Sequence, residues 1–486
     1  SFIWDDAIHD IVFKGEESPD RWIQNPDLSN PRAEKELTLY YHGNLVYREE
    51  GWYLVKSSIG WYPRTGNRKK AHFNLTYTYP SNLTLVSVGD LHQTIEADKY
   101  TTSHWETAAP IRNASFNIGY YKPYQIENEQ IPQVTVLMSD NIDRTGIGLE
   151  FAKHGILSGK NMQEHVGADI ANSFSFFQSV YGQIPLDHFY VTEAPHLHGE
   201  AFPGLIHLSW LTFQFPEDDG RNELFRGHEV AHQWWALGVD FKTYHDQWLS
   251  EGLATFSGLW FLQAVYQEND KYFRILEDWK KEIMNARNYL IGKGQESGPI
   301  CLGYRTQSST TEGDYDLIIY RKGAWIFHML RNMLIDLQTL DDSRFKNMMR
   351  EFFITYQGKK ASTEDFQRIV EKHMNNRSGW FFKQWIYETD IPEYHFSYNY
   401  EINRANRMWV VSCRVRQENV PETFKMGVPL RINFSDGGFA RVRLFVDKPD
   451  YAIQFQVPKR PTELIFNDLQ SVLCDVEYEK WENQGH

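Results

Sequence analysis

Residues 226–252 read RGHEVAHQWWALGVDFKTYHDQWLSEG, and the reading of this stretch decides the architecture. His228 and His232 stand four apart with Glu229 directly after the first, and Glu251 follows nineteen positions after His232. On a helix, residues i and i+4 share a face, so the two imidazoles converge on one ion, while Glu229 is rotated by about 100° and can act on a water there without ligating. Glu251, supplied from a second helix, completes three protein ligands and leaves one position open, which separates a catalytic zinc from a closed structural one. The expectation is a single Zn2+ held by His228, His232 and Glu251. With 18 His in 486 residues, H-E-x-x-H arises by chance in roughly one such chain in twenty, and the added glutamate lowers that to about a few in a thousand. Coincidence is a poor account of the pattern.

Between Leu224 and Leu237 only Gly227 interrupts the helix formers, and Gly238 stands at a natural stop, so the pattern predicts a helix over 224–237. A second periodic run through Leu249, Leu253, Phe256, Leu259 and Leu262 begins after the polar turn Lys242–Asp246 and puts Glu251 near its first turn. Two such helices can pack antiparallel around a metal. Asp246, in the connecting turn, is a candidate to hold a ligand imidazole by its other nitrogen, with helix capping as the alternative.

HEVAH, eighteen residues, and then Glu251 within WLSEGLA resembles the gluzincin aminopeptidase family, which includes alanyl aminopeptidases and the leukotriene hydrolase. In that family an oxyanion-stabilising tyrosine lies in a Y-x-K-G-A motif some sixty to seventy residues after the ligand glutamate. Here IIYRKGAWIFHML places Tyr320 sixty-nine residues after Glu251, so the resemblance implies that role for Tyr320. Trp248, Leu249, Gly252 and Ala254 also match the family pattern, and the likeness is specific from about Leu224 to Leu330. It implies a zinc metallopeptidase in which Glu229 is the general base, acting most typically as an aminopeptidase.

One segment departs from the family. Its exopeptidases carry G-x-M-E-N upstream, whose glutamate binds the free α-amine of the substrate, followed after one residue by Gly-Leu-Ile. Gly204, Leu205 and Ile206 supply that anchor here, but the preceding residues are HGEAFP, so Ala201 falls where the glutamate belongs and Glu200 comes one position early. In a strand a one-residue shift moves a side chain to the opposite face. Either a bulge, which Gly199 and Pro203 make plausible, restores Glu200 to the cleft, or the amine anchor is missing. Glu200, Gly199 and His198 are the substrate-binding candidates, with His196 and His198 sharing a strand face. The alternatives to an aminopeptidase are a zinc peptidase that ignores the free amine, and a non-catalytic binding protein on the same fold.

Composition bounds the rest. A formal charge of −14, from 50 basic and 64 acidic residues, argues against a nucleic-acid partner, and a peptide or protein substrate is what the resemblance implies. No run of about 18 apolar residues would span a bilayer. The reading is a soluble chain, with a lean to an extracytoplasmic setting because it begins at Ser1 rather than Met; oligomeric state is not indicated. Cys301, Cys413 and Cys474 lack metal-site spacing and read as buried thiols, with a Cys413–Cys474 bond conceivable.

Along the chain, LTLYYHGNLVY, WYLVKSSIGWYP, AHFNLTYTYP and LTLVSVGDL are strand-like. Helical patterns take over from about Gly146 and persist to Trp385, and alternating strands such as MWVVSCRVRQ, GVPLRINFS and FARVRLFVD follow. The fold expected is multidomain α+β: an N-terminal β-rich domain over 1–125, a mainly helical thermolysin-like domain over 126–388, and a C-terminal β-sandwich over 389–486. The large helical fourth domain of many family members is absent from this plan.

Overall fold

The apolar residues between Trp248 and Leu262 lie on every side of their helix, a distribution that calls for complete burial. In the computed structural model the helix Trp248–Tyr266 runs through the middle of the helical region, and all but Glu251 of its first fifteen residues are buried. The structure describes residues 46–49, 52–55, 61–62, 69–140, 162–195, 198–213, 219–284, 297–307 and 313–481. Most of the strand predicted over Leu37–Tyr47, the helical pattern before Met162, and His196 lie outside the described residues.

The chain divides into two compact units. The first comprises Ser1–Gln125, Thr135–Gln163 and His188–Phe215. Its strands β1 (Val46–Glu49) and β2 (Trp52–Val55) form a hairpin, β3 (Asn74–Pro80), β6 (Tyr100–Glu106) and β5 (Asp90–Glu96) pair in that order, and β4 (Thr84–Ser87) pairs with β7 (Phe116–Gly119). Alternation along β6 sends Thr101, Ser103 and Trp105 inward, and Trp105 packs with Leu85, Val88, Phe116, Leu137 and Leu205 in one core. A further sheet has the order β11-β12-β10-β9-β8, made of β8 (Tyr121–Ile126), β9 (Gln133–Ser139), β10 (His188–Ala194), β11 (Glu200–Phe202) and β12 (Leu205–Ser209).

The second unit comprises Ile126–Val134, Glu164–Asp187 and Pro216–His486. Around the helix Trp248–Tyr266 stand the helices Met162–Tyr181, Arg221–Ala231, Asn269–Met284, Gly323–Leu334, Ser343–Tyr356 and Thr363–Met374, with the two-residue strands β13 (Asp240–Phe241) and β14 (Lys360–Ala361) paired in parallel. Two glycines set the approach of the helices Arg221–Ala231 and Trp248–Tyr266. A Cβ on Gly258 would meet the Leu224 carbonyl oxygen at 2.3 Å, and one on Gly227 would meet the Gly258 Cα at 3.2 Å. Backbone therefore packs on backbone where these helices cross. Asp169 and Arg226, both buried, pair within the same bundle, and Tyr266 also donates to Asp169.

A two-sheet sandwich follows. One sheet has the order β19-β16-β15-β21 and the other β18-β17-β20, from β15 (Glu393–Ile402), β16 (Trp409–Glu418), β17 (Met426–Phe434), β18 (Phe439–Val446), β19 (Asp450–Val457), β20 (Pro461–Phe466) and β21 (Asp475–Tyr478). Phe396 of one sheet stacks on Phe466 of the other at 4.8 Å. The architecture is thus multidomain α+β, with strands first, a helical centre and a terminal sandwich. No large helical domain is present among the described residues. Cys413 and Cys474 are buried free thiols and Cys301 is half-buried, so the conceivable Cys413–Cys474 bond is not made.

One expectation is corrected here, and one of two open alternatives drops out. The helix that carries His228 ends at Ala231 rather than Leu237, because the chain turns after His232 and places Ala236 at a positive φ of 96°, a costly conformation for a residue with a Cβ. The turn buries Trp234 and Trp235. The bulge considered for Glu200 is not formed. β11 pairs with β12 in regular antiparallel register, Glu200 opposite His207, Ala201 opposite Ile206 and Phe202 opposite Leu205, through a turn with Gly204 at φ 72°.

Candidate active site

His228 projects from the last turn of the helix Arg221–Ala231 and His232 is its C-cap, while Glu251 stands in the first turn of the helix Trp248–Tyr266. The three side chains aim at one point. The Nε2 atoms of His228 and His232 are 3.0 Å apart, and Glu251 Oε2 lies 3.2 Å from His232 Nε2 and 3.7 Å from His228 Nε2. His228, His232 and Glu251 each present one donor atom, all within 4.8 Å of one another. Donors around a tetrahedral ion at about 2.0–2.1 Å stand roughly 3.3 Å apart, so this set fits a zinc-sized cation.

Tautomers decide whether those nitrogens can ligate. The Thr255 hydroxyl donates to the Glu251 carbonyl at 2.7 Å, so its oxygen is left to accept from Nδ1 of His228, 3.1 Å away. Nδ1 of His232 is 2.9 Å from the Trp235 carbonyl, which can only accept. Both imidazoles are therefore protonated at Nδ1 and offer an Nε2 lone pair to the shared point. Burial and the neighbouring His232 push His228 down to about 3. At His232 burial opposes charge, but Glu251 and Glu229 outweigh it and carry the imidazole up to about 9. A proton on the His232–Glu251 side occupies the place an ion would take.

Glu229 is buried, with Oε1 4.0 Å from His228 Nε2. It is beside the three gathered donors and not among them. Tyr320 comes from the π-helical turn Asp316–Lys322; its ring stacks on His228 with centroids 5.7 Å apart, and its hydroxyl donates to Glu251. Burial first, then Glu251, Tyr315, Glu229 and Asp316, raise the phenol far above its ordinary range, so it stays a proton donor. Tyr315 packs edge-on against Tyr320 at 5.6 Å and accepts from Gln247.

Of the two roles considered for Asp246, holding an imidazole or capping, its contacts make the second. Its Oδ2 accepts from the Thr243 amide at 3.0 Å and hydroxyl at 2.7 Å, and its Oδ1 accepts from the Thr363 amide and hydroxyl at 2.7 and 3.0 Å. It ties two turns together and has no lone pair left to spare for an imidazole. Thr255 and the Trp235 carbonyl take the orienting place instead. Thr255 carries a weak signal, being one helical turn beyond Glu251; a backbone carbonyl carries none. His198 is exposed, and Gly199 and Glu200 are half-buried.

A buried HEVAH helix, a glutamate from the next helix and a tyrosine beside them form a candidate metal centre that resembles the gluzincin pattern. Residues 217–385 match the model of the Peptidase family M1 domain. "Aminopeptidase M1-C" of Oryza sativa subsp. japonica is 23% identical over 316 residues, 62% of this chain and 32% of that protein. "Glutamyl aminopeptidase" of Sus scrofa is 30% identical over 151 residues, 30% of this chain and 14% of that one. The chain thus spans a third or less of these curated relatives. The crystal structure of Legionella pneumophila aminopeptidase A in complex with aspartic acid superposes with a TM-score of 0.66 at 16% identity, over 89% of this chain and 48% of that one. That likeness carries the fold. The resemblance read from HEVAH and WLSEGLA therefore extends to fold and family model alike. Among the described residues no helix is long and apolar enough to cross a membrane.

Proposed function

We propose that this chain is a zinc-dependent metallopeptidase that removes residues from the amino terminus of peptides, using one ion held by His228, His232 and Glu251. The observation that carries the reading is the pair of fixed tautomers, which leave two Nε2 lone pairs and one carboxylate oxygen facing a common point. When bound, zinc supplies a Lewis acid that acidifies water and polarises the scissile carbonyl. Glu229, adjacent but not ligating, takes the proton of the attacking water and passes it to the leaving amine. Tyr320, held protonated by burial and surrounding carboxylates, donates to the oxyanion. The catalytic machinery falls within the proposed central domain, 126–388.

A second reading has a specific observation behind it. Glu200 shares its strand face with Phe202 in a regular ladder, and counting back from Gly204 in the sequence puts Ala201 where the resemblance implies the amine-binding glutamate. That favours a zinc peptidase with no need of a free amine. Kinetics on one peptide with its amino terminus free and then acetylated separates the two. Cleavage of the free form alone supports the aminopeptidase; equal cleavage of both overturns it in favour of the second reading.

A further inference from the structure

His395 sits on β15, the interior strand flanked by β16 and β21, opposite Arg416 on one side and Glu477 on the other. Only 11% of its side chain is exposed. Both ring nitrogens are buried and neither makes a hydrogen bond, an arrangement that native interiors avoid. Each nitrogen nevertheless faces carboxylate oxygens. Nδ1 lies 3.4 Å from Glu477 and 3.3 Å from Glu479, and Nε2 lies 3.6 Å from Glu393 and 3.7 Å from Glu418. Two other groups reach the cluster: Arg416 pairs with Glu479 and approaches Glu418 at 3.5 Å, and Asn419 Nδ2 donates to Glu393 at 2.9 Å. Four carboxylates against one guanidinium leave the imidazole in a strongly negative setting.

The spacing says what belongs between these atoms. The Nδ1 distances lack hydrogen-bond geometry, yet they equal the separation of about 3.3–3.4 Å between donors that share a tetrahedral ion. They also fall within the range found among His228, His232 and Glu251. Glu393, His395 and Glu477 each offer one donor atom, all within 4.8 Å of one another. Beside Glu393 lies a cavity of about 90 Å3 with Asp390 and Asp475 in its wall, which adds to the acidic surroundings.

We propose that His395, with Glu393, Glu477 and Glu479, forms a second divalent-cation site on the carboxy-terminal sandwich. An imidazole among carboxylates selects zinc or its transition-metal neighbours over calcium and magnesium, which favour oxygen-only shells. The ion would ligate one ring nitrogen, leave the other to the carboxylates that face it, and tie the edge strand β21 to β15, apart from the proposed catalytic centre.

The test counts tightly held ions. Full-length protein is stripped with chelator, reloaded with Zn2+, desalted and measured by elemental analysis, alongside His395→Asn, Glu251→Gln and the exposed pair Glu477→Gln/Glu479→Gln. Two ions per chain in the parent, and one fewer in His395→Asn and in the carboxylate pair, support the site, as does a Zn2+-induced rise in Tm that both lose. If His395→Asn fails to fold by near-ultraviolet circular dichroism, the carboxylate pair decides. Parent zinc content matched by the carboxylate pair, or a single parent ion abolished by Glu251→Gln alone, overturns it. A single ion that survives Glu251→Gln and is lost with the sandwich variants upholds this site and refutes the proposed metal centre at His228 instead.

Discussion

Thr255 Oγ1 lies 3.1 Å from Nδ1 of His228, and because its own proton is committed to the Glu251 carbonyl, it determines which nitrogen of the ligand imidazole carries hydrogen. One hydroxyl thereby links the two helices that supply the metal donors. Thr255→Val keeps the shape and removes the acceptor, so His228 loses its tautomer control. Zinc affinity should fall about 10- to 100-fold, read by competition with a chromogenic chelator, with little change in far-ultraviolet circular dichroism. Unchanged affinity would mean that the helix alone orients the ring.

Glu229 and Tyr320 should separate metal binding from turnover. Glu229→Gln is expected to keep zinc and lose peptidase activity by about 10²- to 10⁴-fold, because an amide cannot take up the water's proton. Tyr320→Phe should lower kcat by about 10²- to 10³-fold at similar metal content. Turnover near the parent value in either variant removes that residue from the mechanism.

Lys322 is fully buried and its Nζ has no hydrogen-bond partner among the described residues. Burial, only partly offset by Asp390, lowers its pKa from 10.5 to about 8. Below pH 8 both folded and unfolded chains hold the proton and the full cost is present. Between 8 and 10.5 the unfolded chain holds more protons, so stability rises with pH; above that range the cost is gone. Lys322→Met should therefore be more stable than the parent at pH 7 by about 3 kcal/mol, with the difference shrinking towards pH 10 in denaturant melts. A difference that stays constant across that range refutes the account.

Gly258 allows the Leu224 carbonyl to lie 2.3 Å from where a Cβ would stand. Gly258→Ala should force the helices Arg221–Ala231 and Trp248–Tyr266 apart, costing about 1–3 kcal/mol or more and weakening zinc together with stability. The joint loss is the diagnostic, seen by chelator competition and thermal melts. A stable variant with intact metal binding would show that the crossing tolerates separation.

Much of the site was legible because helical spacing is a local property. HEVAH places two imidazoles on one face whatever surrounds it, and an apolar run around Glu251 announces a buried helix. The end of the first helix was not legible: Gly238 looked like the stop, but the turn begins at His232, where burial of Trp234 and Trp235 and the strained Ala236 override propensity. Asp246 was open between two roles for a related reason. A carboxylate in the right turn has several partners within reach, and Thr363, more than a hundred residues away, claims one of its oxygens.

Sequence by itself determined the donor types, their order and their helical phase, together with the strand–helix–strand plan, since periodicity and chemistry reside in neighbouring residues. Tertiary structure alone decided which nitrogen of each imidazole is free, that Ala201 and not Glu200 keeps the register opposite Ile206, and that His395 sits among four carboxylates. Each of these depends on contacts that folding supplies, some across a turn, as from His232 to Trp235, and some over long separations, as from His395 to Glu477, and no local pattern encodes them.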